Sequence, residues 1–340
     1  MSVAYKKVTP NDLSKKITYF ENVDFVRIWN TEVPQNLPID PQAWQKGYYF
    51  PENIIKYAKD ISELTVRSDD VWVLSFPKCG TTWTQEMVWQ ICNDLNFKPS
   101  NSLSERYSFL ELGCIWKAWN PMYSLSSLEK ISKPRFIKSH LAASLLPRQI
   151  WTEKPKIVYV TRNAKDMITS YYHHWKNIPG FSGSFDEFVD LIIDDRINYT
   201  PFDSHVMNFW HMRNEPNVLF LVYEEMQQNL PKVIEKTAHF FGKTLTKDQI
   251  YDLADHLSFN KMANNPAVNF EQELSRLRKE NKMSFNEKDY RFIRKGKVNS
   301  FKDEMSPEMI EKVNDWLSNR FKDYEIDSDL RKIVFNEYVN

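Results

Sequence analysis

The stretch SFPKCGTTW (75–83) concentrates residue types that hold an anion without a metal. It stands where an apolar run, VWVLSF (71–76), gives way to TTWTQEMVWQICNDL, whose apolar residues recur at helical spacing. Where a strand hands over to a helix, successive backbone N–H groups converge on an anion and the helix dipole adds partial positive charge. Lys78 brings a full charge, the Thr81 and Thr82 hydroxyls donate to phosphate oxygens, and Gly80 lets the backbone approach closely. The spacing GxxxxGK[ST] is absent, because the lysine precedes the loop's one glycine, and this argues against an ordinary ATPase or GTPase. A bland turn with a solvated lysine would account for a shorter match, but PKxGTTW after an apolar strand favours anion binding.

Two further basic groups fit a second anion. The run KIVYVTR (156–162) ends at Arg162, and Ser170 lies two turns along the helix that follows. Arg162 and Asp166 taken alone would read as a helix-start ion pair. FIRKGKVNSFK (292–302) puts Arg294, Lys295 and Lys297 around Gly296. Most charge runs are solvated faces, and this one gains meaning from the other two. His140 directly follows the short apolar run RFIKS (135–139), with Lys138 two residues earlier on the same face of an extended chain. That is where a general base would sit, although a lone histidine serves structure as often as catalysis. His173 and His174 are adjacent and point in different directions, and no HExxH occurs, so no metal is expected.

These groups need strand ends to carry them. VWVLSF, RFIKS, KIVYVTR and VLFLVY (218–223) each lead toward a helical pattern: TTWTQEMVWQICNDL, SLLPRQIW, NAKDMITSYYHHW and PKVIEKTAHFFG. Alternating strands and helices predict an α/β fold, a single domain with a central parallel sheet flanked by helices. DEFVDLIIDD, DSHVMNFWHMRN and TKDQIYDLADHL read as further helices, the last with a Thr246 to Gln249 capping box, and Ser306-Pro307 opens a final helix ending near Tyr324. The expected division is an N-terminal segment (1–60) on the acceptor side, a main domain (61–325) and a tail (326–340).

The chain has 340 residues, 42% hydrophobic and 26% charged, with 22 Phe, 16 Tyr and 11 Trp, which excludes disordered and collagen-like classes. Lys+Arg and Asp+Glu are both 45, so no global basic field drives nucleic-acid binding, and none is expected. No window approaches a transmembrane span and the N-terminus carries no signal-like apolar stretch, so a membrane partner is not expected. Three cysteines, Cys79, Cys92 and Cys114, without CxxC spacing suit a reducing cytosol, and a cytoplasmic location is expected. Cys79 stands beside Lys78 and just before a helix N-terminus, which predicts a lowered thiol pKa and a reactive cysteine. In RYSFLELGCIWKAWNPMY, Phe109, Trp116, Trp119 and Tyr123 suggest an aromatic-lined pocket for a flat apolar alcohol or phenol; as ordinary core aromatics they need no ligand.

SFPKCGTTW, RFIKSHL, YVTRNAKDMITSYYHH, VLFLVYEEM, LSFNKMANNPAVNF and FIRKGK, in that order, resemble the cytosolic sulfotransferases, which move a sulfonate group from 3′-phosphoadenosine 5′-phosphosulfate (PAPS) to a hydroxyl or amine and leave PAP. The resemblance covers roughly residues 70–320. It implies a P-loop nucleotide-kinase-like fold, a 5′-phosphosulfate loop at Lys78, Gly80, Thr81, Thr82 and Trp83, and a 3′-phosphate site at Arg162, Ser170, Arg294, Lys295 and Gly296. It places adenine against Trp83, Tyr223, Ser258 and Phe259, and makes His140 the base, Lys138 a support for the sulfonate oxygens and Lys78 a charge on the leaving oxygen, with no metal. It also makes the partner a small hydroxyl compound. Cys79 departs from the family's serine, Leu257 from a common threonine beside the adenine, and KSHLAAS from KTHLPLS. The family's dimer segment KxxxTVxxxE reads KDEMSPEMIE, with Lys302 and Glu311 kept but Ser306 and Pro307 changed, so a monomer or weak homodimer is expected. A retinol dehydratase-like outcome, sulfonation followed by elimination, and a PAP-binding protein without transfer chemistry are the alternatives.

Overall fold

A computed structural model describes residues 3–9, 16–20, 23–98, 101–115, 125–131, 134–280, 290–324 and 326–337. Trp116, Trp119 and Tyr123 lie outside the described residues. The central sheet is five-stranded, in the order β5 (Ser108–Phe109), β6 (Phe136–Ser139), β4 (Val71–Leu74), β7 (Lys156–Thr161), β8 (Val218–Val222). All four pairings are parallel. The alternation of strand side chains explains the two layers of core. Trp72, Leu74, Ile137, Ile157 and Tyr159 join one apolar cluster, while Val71, Val73, Phe136, Val158 and Val160 join the other. Both faces are therefore covered, as a parallel sheet requires.

The register decides where the functional loops meet. Leu74 pairs with Ser139 on one side and with Tyr159 on the other, so β4, β6 and β7 end at nearly the same level. A buried pair, Asp70 with Arg135, ties the entries of β4 and β6 at the opposite edge, the Arg135 Nε–Asp70 Oδ1 distance being 2.7 Å.

The helices that bear on the argument are α1 (Thr81–Cys92), α2 (Ala164–Asn177), α3 (Phe185–Ile193), α4 (Phe202–His211), α5 (Leu230–Phe240), α6 (Lys247–His256), α7 (Phe259–Asn264) and α8 (Pro307–Phe321), with others around them. The Thr246 capping box is present, with the Gln249 N–H donating to Thr246 Oγ1 at 3.2 Å. SLLPRQIW does not form one helix: Pro147 divides it into a turn at Ala143–Leu145 and a single helical turn at Ile150–Glu153. VLFLVY ends one residue early as a strand, because Tyr223 already opens a helix.

A second sheet has no counterpart in the sequence reading. β1 (Val3–Val8), β2 (Phe25–Asn30) and β3 (Tyr48–Pro51) pair antiparallel, and Phe25, Val26, Ile28, Tyr48, Tyr49 and Phe50 pack into the larger apolar cluster. The chain's first 60 residues are thus partly built into the same core.

Candidate active site at the carboxyl edge of the sheet

A cavity of about 260 Å³ opens where β4, β6, β7 and β8 end. Ligands of open α/β folds bind at this edge, since the strand-to-helix loops and helix N-termini face it. Lys78 and Gly80 line it from the loop after β4, Thr81, Thr82 and Trp83 from the first turn of α1, Lys138 from β6 and His140 just past it, Arg162 just past β7, Ser170 from α2, and Tyr223 from the helical turn that follows β8. Phe109, Phe259, Arg294, Lys295 and Gly296 complete the set named from sequence. Ser258 is the exception. Its N–H donates to the Asp255 carbonyl and its own carbonyl accepts from the Met262 N–H, so it joins α6 to α7 outside the lining.

Two glycines are fixed by close approach. Gly80 has φ +104, and a Cβ there would come within 2.8 Å of the Tyr223 ring. Gly296 has φ +60, and its Cβ would meet the Phe259 ring at 2.2 Å. Each basic loop is therefore pressed against an aromatic ring. Trp83 packs edge-on to Tyr223 at 5.5 Å, with its indole N–H donating to the Leu257 carbonyl at 2.9 Å, and the Arg162 guanidinium lies over Tyr223 at 4.3 Å.

Asp166 brings the distant 294–301 segment to this edge. It accepts from the Asn299 N–H at 2.8 Å, the Ser300 hydroxyl at 3.0 Å and the Phe301 N–H at 3.0 Å, while Arg162 donates to the Lys297 carbonyl at 2.9 Å. Arg162 and Asp166 are 3.7 Å apart, so the helix-start ion pair exists and serves as a clasp. Arg294 and Lys295 are held by Glu304 at 2.9 Å each, and Glu304 also meets His173 Nε2 at 2.5 Å.

His140 is locked on every side. Its Nδ1–H donates to the Ser75 carbonyl at 2.9 Å, its N–H to Glu111 at 2.7 Å, and its carbonyl accepts from His205 Nε2 at 2.9 Å. Its ring stands between Phe109 and Tyr199, with centroids 5.4 and 5.5 Å away. The Ser75 bond fixes the tautomer that leaves Nε2 as the basic nitrogen. Burial, then the Lys138 charge, holds His140 well below the usual imidazole value, so it is neutral and able to accept a proton.

The lysines are shifted the same way. Lys78 has part of its side chain open to the cavity, yet dense surroundings, then Lys138, Arg294 and Arg162, push it down to about 7. Burial lowers Lys138 to about 8 against the pull of Glu111. Their ammonium groups rest on aromatic faces, Lys78 over Phe292 at 4.2 Å and Lys138 over Phe109 at 4.4 Å.

Cys79 overturns one expectation. The side chain is fully buried in the core, and desolvation pushes its thiol above the ordinary range despite Arg162 nearby. Lys78, at φ +67, sends its ammonium to the cavity while the next side chain turns inward. Cys79 is a small packing residue.

Glu111, Ser75, Tyr199 and His205 were not legible as site residues. Glu111 accepts from the His140 N–H, the Ser139 hydroxyl at 2.8 Å and the Tyr199 hydroxyl at 3.2 Å, and burial raises it to about 7. A lone acidic residue inside the apolar run SFLELGC was the available signal. No group of residues suited to hold a metal occurs, and no helix is long and apolar enough to cross a membrane, among the described residues.

Comparison with known proteins agrees with this geometry. Residues 68–325 match the family model described as a sulfotransferase domain. Luciferin sulfotransferase of Photinus pyralis is 39% identical over 279 residues, covering 78% of this chain and 75% of that protein. Human sulfotransferase 1E1 is 29% identical over 281 residues, 82% of this chain and 92% of its own. The crystal structure of retinol dehydratase in complex with retinol and PAP superposes with a TM-score of 0.81 at 29% identity, covering 96% of this chain and 99% of the other. With more than half its length under the family model and a solved relative superposing over 96% of it, the chain belongs to the sulfotransferase family.

Proposed function

We propose that this protein transfers a sulfonate group from PAPS to the hydroxyl of a small apolar alcohol or phenol. The observation that carries this reading is the junction, in one cavity, of two separate basic loops, aromatic rings packed against them and a neutral, oriented histidine. The cavity fits the nucleotide: Gly80 and Gly296 admit no Cβ, so backbone N–H groups and basic side chains can close on phosphates beside the Tyr223 and Phe259 rings. Lys78, Thr81 and Thr82 with the α1 N-terminus would hold the 5′ end, and Arg162, Ser170, Arg294 and Lys295 the 3′-phosphate.

PAPS supplies the sulfonate, its sulfur–oxygen bond to the 5′-phosphate breaking as a bond from sulfur to the acceptor oxygen forms. His140 Nε2 takes the acceptor's hydroxyl proton, a contribution of about 10²- to 10⁴-fold. Lys78 stabilises the charge left on the 5′ side and Lys138 the sulfonate oxygens, as preorganised charges in a water-poor site. Phe109 borders the acceptor beside His140.

The test pairs binding with turnover. PAP should raise the melting temperature far more than AMP, Arg162→Ala should erase that difference, and His140→Ala should abolish sulfonation with PAP binding kept. Equal shifts for PAP and AMP, or undiminished turnover in His140→Ala, would sink the assignment. The likeness to retinol dehydratase over 96% of the chain favours a second reading, sulfonation followed by elimination. An anhydro product in place of a sulfate ester distinguishes it.

A further inference from the structure

The cations named for the two ends of the nucleotide differ in how their charge is met. Lys78, at the 5′ end, has its ammonium on the face of Phe292 at 4.2 Å, and the charges that act on it most are those of Lys138, Arg294 and Arg162, all of its own sign. Each cation at the 3′ end has a carboxylate. Arg162 stands 3.7 Å from Asp166, and Arg294 Nη1 and Lys295 Nζ each lie 2.9 Å from Glu304 Oε1. Lys295 also meets Asp303 at 3.3 Å, but Asp303 is 68% exposed and water screens its charge.

Glu304 is fixed in place by the fold. It closes the turn Ser300–Asp303, its N–H donating to the Phe301 carbonyl at 3.0 Å, and the same turn is tied to α2 by the Asp166 bonds. Its second oxygen, Oε2, meets His173 Nε2 at 2.5 Å, and His173 follows Ser170 by three residues, one turn along α2. The carboxylate thus bridges the helix that carries Ser170 and the loop that carries Arg294 and Lys295, and those three side chains line the cavity. Its side chain is 20% exposed and that of Arg294 22%, so water screens the pair only in part. Burial works against its ionisation, but the bonds from His173, Lys295 and Arg294 outweigh burial and hold the carboxyl well below the usual range, so it stays an anion.

A guanidinium has five N–H donors in a fixed fork, so Arg294 can serve Glu304 along one edge and a phosphate along another. Two anions then share one cation, and like charges brought together in a partly buried place repel. We propose that Glu304 is a specificity-determining residue for the nucleotide: it shares Arg294 and Lys295 with the 3′-phosphate, moderates the preference for a 3′-phosphorylated nucleotide over its 3′-hydroxyl analogue, and so speeds the departure of PAP after transfer. This rests on the sulfotransferase reading above. Product release limits turnover in many enzymes, and a carboxylate built into the 3′ site shortens the life of the product complex.

Glu304→Gln removes the charge but keeps an oxygen that accepts from Arg294 and Lys295, so it separates repulsion from positioning. Calorimetric titration of the full-length protein with PAP and with AMP, which lacks the 3′-phosphate, reads the difference. PAP affinity should rise about tenfold in Glu304→Gln, with the PAP dissociation rate falling to match, and AMP affinity should stay as in wild type. Glu304→Ser also removes the charge; it should raise the ratio of PAP to AMP affinity as well, and it serves if the glutamine variant does not fold. A PAP affinity that is unchanged or lower in both variants makes Glu304 a positioning group or a bystander, which overturns the inference and leaves the sulfotransferase reading standing. Equal tightening of PAP and AMP overturns it too, since the effect then does not pass through the 3′-phosphate. A wild-type protein that binds PAP and AMP equally overturns the function on which the inference rests.

Discussion

Lys78 shows how a single residue can be costly to the empty site and useful to the filled one. Burial and neighbouring cations bring it down to about 7, so it holds its proton far less firmly than a solvated lysine. Anionic phosphates held against it favour the ammonium form and raise its value in the complex. Between the two values the complex binds more protons than the free protein, so affinity must fall as pH rises through that window. PAP affinity is therefore expected to weaken as pH rises above about 7, with proton uptake visible by calorimetry in buffers of different ionisation heat. Lys78→Arg, whose guanidinium stays charged, should reduce that uptake. A pH-independent affinity with no proton uptake would contradict the assignment of Lys78 to the anion site. Cys79, one residue on, shows the opposite lesson: its position beside a lysine and a helix N-terminus pointed to a thiolate, but local charge could not compensate a side chain turned wholly into the core.

At the scale of elements, each of the two basic loops lies close against an aromatic ring, and glycine is what permits it. Gly80→Ala and Gly296→Ala would each force a methyl into a ring at 2.8 and 2.2 Å and strain a positive φ. Gly242 is a built-in control, with φ +68 and nothing within 4 Å of a Cβ. Gly242→Ala should cost about 1 kcal/mol of stability and leave PAP affinity alone, while both loop variants should lose affinity as well, by tenfold or more. Thermal melts and PAP titrations of all three separate the effects, and full affinity in Gly296→Ala would show that the loop need not meet Phe259. Much of this was legible in sequence because strand, turn and helix signals are local: the parallel sheet and the loops that carry Lys78, Gly80, Arg162 and His140 followed from them, whereas Trp83, Tyr223 and Phe259 were named only through the resemblance to the sulfotransferases. What was missed depends on distant partners. β1 carries Lys6 and Lys7 on an exposed strand and becomes a strand only by pairing with β2. Glu111 becomes a site residue only because β5 pairs with β6 and sets it against the His140 N–H.

The whole molecule bears on how copies of the chain meet. We propose that Pro307 disfavours pairing of copies through the segment around it. Ser306 caps α8, its hydroxyl accepting from the Met309 N–H at 3.2 Å, and Pro307 occupies the first turn. The segment that would have to extend across a two-fold axis is thus a helix start. Met305 and Met309 on either side are buried, 5% and 8% exposed, and belong to the larger apolar cluster. An extended pairing here would lack one backbone donor at the proline, break the cap, at about 1 kcal/mol, and lift two methionines out of the core. Against that, a few intermolecular hydrogen bonds contribute only about 0.5–1.5 kcal/mol each. We therefore expect sedimentation velocity to give a single species near the chain mass of 40.6 kDa at low micromolar concentration. A tight dimer that Glu311→Lys dissociates would show that the segment pairs in spite of the proline and that α8 unwinds at its first turn to allow it.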